Sequence, residues 1–325
     1  MKQNMYLPEG MRLGTLENRE AVSSLSSLER AMNQGTILEG MAVLCDHSLN
    51  LRVEVGSFIG WIPRDETVYN PDGQPVKDIA IISRVGKAIC FRVMGVMRDA
   101  EAGTPQLLLS RRAAQQDCCR NYLDALEPGD LIPAKVTHLE NFGAFVDVGC
   151  GVVSLLSVDC LSVSRIHHPR ERLLPGQSIR VAVRTVFREQ GRIFVTLREL
   201  LGTWEENAAL FESGQTVVGT IRSVESYGVF VELTPNLTGL TELKDEWRAS
   251  AEELIGRRAS VFIKSIVPEK MKIKLVLIDI APGENVPAPL TYYIPEDKEH
   301  LDSWKYSPDG CRKTVETVFT QQDLR

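Results

Sequence analysis

Asn141-Phe142-Gly143-Ala144-Phe145-Val146-Asp147-Val148 recurs 85 positions later as Ser226-Tyr227-Gly228-Val229-Phe230-Val231-Glu232-Leu233. Both copies read aromatic, glycine, small or branched, Phe, Val, acid, aliphatic. From Ala144 onward the alternation is that of a half-buried strand, with Ala144, Val146 and Val148 on one face and Phe145 and Asp147 on the other. A bulge at the glycine shifts side-chain parity and would bring Phe142 onto the face of Phe145. Two aromatic rings on the wet face of a strand suit a stacking platform for nucleic-acid bases. A single copy reads equally well as a ring plugging a barrel seam. Repetition at a fixed spacing, with flanks that also repeat, favours a binding module.

Working outward, the frame repeats three times. Gly35, Gly129 and Gly214 open three strand-rich sets, and five residues on stand Gly40, Ala134 and Gly219. The closing strands Leu107–Arg112 and Ile193–Arg198 are offset by 86 residues, whereas the openings of the first two sets are offset by 94. The first set therefore carries an insertion, the turn-rich Val68-Tyr-Asn-Pro-Asp-Gly-Gln-Pro75. Helical patterns fall between the sets and not between strands, which excludes a βαβ fold. The fold class expected is all-β with linker helices: three tandem five-stranded closed barrels of OB type.

The expected division is a loose leader with a short amphipathic helix (1–34), barrel one (35–112), a linker helix (113–128) and barrel two (129–199). A second linker helix (200–213), barrel three (214–279) and a Pro- and aromatic-rich extension (280–325) complete the chain. Thr203 and Glu206 have the spacing of a helix capping box. The extension, with Leu290-Thr-Tyr-Tyr-Ile, Trp304 and Tyr306, is expected to be ordered by packing along the last barrel.

Composition narrows the function. The 325 residues are 43% hydrophobic, enough for several cores. No apolar run reaches the ~18 residues of a membrane span, and no signal-peptide core opens the chain. A cytoplasmic protein without membrane contact is expected. Seven cysteines with no Cys-x-x-Cys pair argue against a disulfide framework and against zinc. The adjacent Cys118 and Cys119 read as small apolar residues on a linker helix more readily than as a redox pair. The net charge of −6 disfavours bulk electrostatic gripping of nucleic acid. Residues 128–202, however, carry nine basic and seven acidic residues and form the only net basic segment. Nucleotide-binding glycine loops, a His-Glu-x-x-His helix and a Gly-x-Ser-x-Gly elbow are all absent from the sequence. The expectation is a protein that is not an enzyme and uses no cofactor and no metal.

With these residues in place the chain resembles the S1 RNA-binding motif, the OB-fold repeat of the ribosomal protein S1 family. That family shows Gly-x-x-x-x-Gly, then Phe-Gly-x-Phe-Val, then a closing hairpin. Repeats two and three match it in order and spacing. Repeat one matches in its frame, including Gly60-Trp61-Ile62-Pro63, but has His47-Ser-Leu-Asn-Leu-Arg-Val-Glu54 where the aromatic strand belongs. The arrangement is similar to the short three-repeat S1-like proteins of Gram-positive bacteria.

The resemblance implies stacking rings at Phe142 and Phe145 in repeat two and at Tyr227 and Phe230 in repeat three. It implies phosphate-holding cations at Arg192 and Lys272. The residues themselves add Lys135, and His168 and Arg170 from the long loop between the third and fourth strands of repeat two. The family's histidine position is Ser157 in one copy and Glu242 in the other, and Glu242 would repel phosphate. Phe187 either adds a third ring to repeat two or simply packs. Arg180 and Arg184 would both face a ligand only without an intervening bulge. Repeat two is therefore expected to lead. The function expected is a monomeric binder of single-stranded RNA, acting on mRNA in translation near the small ribosomal subunit, with repeat one docking protein. The rival is a non-catalytic scaffold that binds protein partners through OB barrels whose RNA sites have decayed. It draws on the net charge and on Glu242.

Overall fold

The computed structural model describes residues 5–71, 73, 75–97, 105–188, 191–242, 253–281, 287 and 289–320. Two helices, α1 (Leu16–Ala21) and α2 (Leu25–Gln34), precede the first barrel. The polar Ser23-Ser24 pair splits the single helix expected there, because the Ser24 hydroxyl caps α2 by accepting from the Ser27 N–H. Barrel one is β1 (Leu38–Cys45), β2 (Leu51–Val55), β3 (Phe58–Ile62), β4 (Ala88–Met97) and β5 (Gln106–Ser110), with α3 (Asp78–Ile82) between β3 and β4. The linker helix α4 (Arg111–Asn121) leads to barrel two: β6 (Leu131–Glu140), β7 (Gly143–Asp147), β8 (Val153–Ser157), β9 (Ser178–Phe187) and β10 (Arg192–Thr196). A short α5 (Trp204–Ala208), held by the Thr203–Glu206 capping box, leads to barrel three. Its strands are β11 (Thr216–Glu225), β12 (Gly228–Thr234), β13 (Leu237–Thr241), β14 (Arg258–Val267) and β15 (Lys272–Ala281).

All three barrels close in the same order: first strand, second, third, fifth, fourth and back to the first. The third and fifth strands pair in parallel and the other neighbours antiparallel. This is the OB arrangement. In each barrel the long first strand pairs with two neighbours, and a bulge bends it between them, at Val43, Thr137 and Arg222. Side chains of alternate parity fill the interior; Ala144 and Val146 are wholly buried, as are Val229 and Val231.

The bulge expected at Gly143 is thus on the facing strand. Gly143 is required for a different reason: a Cβ there would lie 2.5 Å from the Leu156 carbonyl oxygen. Gly228 meets the same restriction, at 2.6 Å from the Thr241 carbonyl.

The leader is not loose. Residues 5–15 wedge between barrels one and two. The Glu9 carboxylate accepts from Arg111 Nε at 2.7 Å and from the Cys90 N–H at 3.1 Å, and the Glu9 N–H donates to Asp147 at 2.7 Å. Glu39 of β1 accepts from the N–H groups of Gly10 and Arg12, each at 3.0 Å. Asp147, expected on a wet face, is 2% exposed because the leader covers it. Burial pulls the Glu9 carboxyl up, but Arg111 and Arg84 more than offset this and hold it below its ordinary value. Burial, reinforced by the Glu9 charge, raises Asp147 against the pull of its backbone donors.

Burial also pushes Glu39 from an ordinary 4.5 to about 7. An unfolded chain loses this proton near pH 4.5, whereas the folded protein keeps it until about 7. Between these values the unfolded state holds fewer protons, so stability falls as pH rises. The melting temperature of the first two barrels is expected to drop between pH 5 and pH 8, with a shallower drop in Glu39→Gln. Equal slopes in the two proteins would mean that the leader's N–H donors keep Glu39 ionised throughout.

The C-terminal extension docks, on two barrels and not one. Tyr292, Leu301 and Phe319 pack with Leu131, Ala182 and Leu200 beside barrel two, and the Tyr292 hydroxyl accepts from the Arg180 N–H at 2.9 Å. Trp304 and Tyr306 join the core of barrel three. A small ribbon, β16 (Ser303–Lys305) with β17 (Glu316–Val318), holds the turn between them. Among the described residues, no helix is long and apolar enough to cross a membrane. All seven cysteines are free thiols, and burial pushes Cys119 up to about 11, which leaves it protonated and unreactive at neutral pH.

Candidate nucleic-acid interface

The two ring pairs form as matched sites. Phe142 sits in the turn between β6 and β7 and Phe145 on β7; their rings meet edge to face with centroids 5.9 Å apart. Tyr227 and Phe230 repeat the arrangement at 6.1 Å. Phe142 is 55% and Tyr227 65% exposed, so in each pair the turn residue offers its ring to solvent while its partner supports it from the barrel wall. Exposure leaves apolar ring surface in contact with water, which burial against a ligand would relieve.

Strand register extends each pair into a row around the barrel. In barrel two, His138 pairs with Phe145, Phe145 with Leu155, and Leu155 with Phe194. Phe194 also meets Phe187 edge to face at 5.5 Å, so Phe187 packs within the row. Arg192 lies two residues before Phe194 on the same face of β10. In barrel three the corresponding row is Phe230, Leu240 and Lys274, with Lys272 in the place of Arg192. In barrel one it is Arg52, Trp61 and Leu108, so an arginine stands where the other two carry the supporting ring. Phe194, Leu155 and His138 were missed in the sequence. The alternation Ile193-Phe194-Val195, with both flanking residues buried, carried the signal for Phe194.

The remaining expected residues are placed elsewhere. Lys135 is not beside the rings: it pairs across with Asp147, and its Nζ donates to the Glu9 carbonyl at 2.9 Å. His168 caps a short 3-10 turn, with Nδ1 accepting from the Arg170 N–H at 3.0 Å, and Glu171 closes a capping box on it. Arg170 is exposed on that turn. The loop carrying these residues packs Ile166 and Leu173 into the core of barrel two and also reaches across to barrel three. The Val163 N–H donates to Asn236 at 2.9 Å, Ser164 bonds Thr238 at 2.7 Å, and buried Arg172 pairs with Glu232. Glu232 in turn accepts from Arg222 Nε at 2.8 Å, and Arg222 also pairs with Glu171.

The basic character of the middle segment is thus largely internal. A bulge does fall at Arg184, whose guanidinium contacts the Cys160 sulfur at 2.8 Å. Arg180 donates to the Pro295 carbonyl at 2.6 Å and holds the extension, and Arg188 donates to the Asp124 carbonyl at 3.2 Å. Arg192 lines a cavity of about 350 Å³ between barrels one and two, with Tyr69 and Pro71 of the insertion in the first repeat. Cations not engaged by described residues gather instead around barrel three. Lys270, Lys272 and Lys274 line a groove of about 740 Å³ that has Tyr227 and Phe230 in its wall. Glu242 is exposed at the end of β13 and is not part of that wall. Among the described residues no three His, Cys, Asp or Glu side chains gather as a metal site.

Residues 125–198 match the S1 RNA binding domain family. Over 191 residues the chain is 33% identical to the small ribosomal subunit protein bS1 of Staphylococcus epidermidis, covering 56% of this chain and 48% of that protein. This chain is an S1-domain protein related to bS1. It is also 32% identical to the small ribosomal subunit protein bS1 homolog of Bacillus subtilis over 244 residues, covering 74% of this chain and 60% of the relative. The chain therefore spans between about half and three fifths of the length of these relatives. A solved multidomain protein with nucleic acid binding domains from Streptococcus pneumoniae aligns over 75% of this chain and 74% of its own, at 15% identity and a TM-score of 0.24.

Proposed function

We propose that this S1-domain protein binds single-stranded RNA on the outer faces of barrels two and three. Its role in translation is to hold unstructured mRNA near the small ribosomal subunit. The observation that carries this reading is the pair of edge-to-face aromatic sites at matching register, 5.9 and 6.1 Å between centroids, each with one solvent-facing ring. Bases stack on Phe142 and Tyr227, while Arg192, Lys272 and Lys274 hold phosphates. Each stacked base contributes ~1–3 kcal/mol with little sequence preference. Barrels in tandem raise the local concentration of the second site for a strand held by the first.

Barrel one suits a protein contact better. It has Arg52 in place of the supporting ring, and α3 presents Ile79 and Ile82 at 66% and 47% exposure. A scaffold without RNA is the second reading, favoured by the number of arginines in barrel two that are bonded internally. Titrating the full chain against a fluorescent U-rich single-stranded RNA of about 20 nucleotides separates the two. Micromolar or tighter binding is expected, with the logarithm of affinity falling by about 0.7 per phosphate contact against log salt. No binding at low salt would leave only the scaffold.

A further inference from the structure

The groove on barrel three is not built by barrel three alone. Its far wall includes Arg165, from the loop of barrel two that crosses onto barrel three, and Tyr306, Lys313 and Val315, from the C-terminal extension. We propose that these parts form one composite site for a nucleic-acid single strand. Bases enter over Tyr227 and Phe230, and the phosphate backbone continues off the barrel between Arg165 and Lys313. This rests on the RNA reading above and adds to it a binding role for the loop and the extension.

Charge is the first argument. Arg222 lines the groove but is neutralised by Glu232 and Glu171. Apart from it, five cations converge there, Arg165, Lys270, Lys272, Lys274 and Lys313, against a single carboxylate, Glu225. None of the five has an ion-pair partner among the described residues. In a chain of net charge −6, such a concentration is a local field of the opposite sign. Like charges lining one groove repel one another, and a polyanion relieves that repulsion.

Rigidity is the second argument. The Tyr306 hydroxyl donates to the Asn236 carbonyl, and its own carbonyl accepts from the Trp204 N–H at 3.0 Å. Ser307 Oγ donates to the Lys313 carbonyl at 2.9 Å and accepts from the Val315 N–H at 2.8 Å, which fixes the turn bearing Lys313. On the other side, Ser164 is bonded to Thr238 at 2.7 Å and its N–H donates to the Pro235 carbonyl at 3.2 Å, which fixes Arg165 beside β13. The cations are thus presented by three separately anchored elements. That geometry fits a linear ligand with several phosphates better than a compact anion.

The test uses the full chain and the U-rich RNA in a salt series. Arg165 and Lys313 are exposed, so their replacement leaves the fold intact, which an unchanged melting temperature verifies. Arg165→Ala and Lys313→Ala are each expected to weaken binding three- to tenfold at low salt and to reduce the salt slope by about 0.7. Lys313→Arg should bind as the parent does, and shortening the RNA to three nucleotides should abolish the difference between Lys313→Ala and the parent. Unchanged affinity and slope in both alanine variants, together with a loss in Tyr227→Ala, would overturn the composite site and leave the RNA reading standing. A parent protein that binds no RNA would remove both.

Discussion

Replacing Glu9 by alanine is expected to lower the stability of the first two barrels by about 3–5 kcal/mol. Arg111 is 2% exposed and lies between barrels one and two. Glu9 takes two of its N–H groups, Nε at 2.7 Å and Nη2 at 3.0 Å, and the Thr67 carbonyl takes another at 3.0 Å. Arg84, 3.6 Å from the same carboxylate, adds a second positive charge. Without Glu9 two guanidinium groups face each other in a buried site whose remaining acid, Asp147, is already engaged by the N–H groups of Glu9, Gly149 and Gly151. An uncompensated buried charge costs far more than the loss of an exposed pair.

The chain has three barrels, so unfolding need not be two-state, and the transition must be assigned. Trp61 reports on barrel one and Trp204 on barrel three. In urea, the Trp61 transition of Glu9→Ala should move to lower concentration and the Trp204 transition should stay. A shift of less than about 1 kcal/mol would mean that Asp147 takes over Arg111 and that the leader is not the joint between these barrels. A common shift of both transitions would mean that the three barrels unfold as one unit.

This joint was hidden in the sequence, and the reason is physical. Glu9 and Arg111 are 102 residues apart, and no local periodicity encodes a pairing at that distance. The leader looks loose because its apolar residues follow neither a strand nor a helix period. It is ordered by backbone donors meeting buried carboxylates, a bond that any residue type can make. The strand motif misled in the same way. Asp147 and Glu232 alternate correctly onto the outer face, but each is then covered by chain from the module before it, by the leader in one case and by the Arg172 loop in the other.

What was legible was local. Strand parity, glycine spacing and the doubled motif carried the barrels and both ring pairs, because those depend on neighbours within a few residues. The use of each arginine was not legible. Arg172, Arg180 and Arg188 read as a basic face and serve as clamps on the next barrel, the extension and the linker. Net charge over a segment counts these the same as free cations. On net charge the sequence favours barrel two, whereas Lys270, Lys272 and Lys274 of barrel three line an open groove.

The composite site proposed on barrel three implies the second large effect. Tyr227→Ala with Phe230→Ala should weaken binding of the U-rich RNA more than Phe142→Ala with Phe145→Ala, and each double variant should lose at least about tenfold. Losing one stacked base at ~1–3 kcal/mol suffices for that factor. Barrel three should lose more because its rings seat the strand among the lysines of β15 and the turn before it. Barrel two has Arg192 on its row, and its Arg172, Arg180 and Arg188 are bonded within the protein. The outer rings are 65% and 55% exposed, so neither pair of substitutions empties a core, and both proteins should keep the parent's melting temperature within a few degrees. The salt slope separates stacking from charge: removing rings should lower affinity by a similar factor at every salt concentration, since no phosphate contact is lost. If the barrel-two variant loses more, the bonded arginines must release to meet the ligand, and the clamps at Arg180 and Arg188 would then open when RNA binds. If neither variant loses affinity while the parent binds, stacking is not how this chain holds RNA.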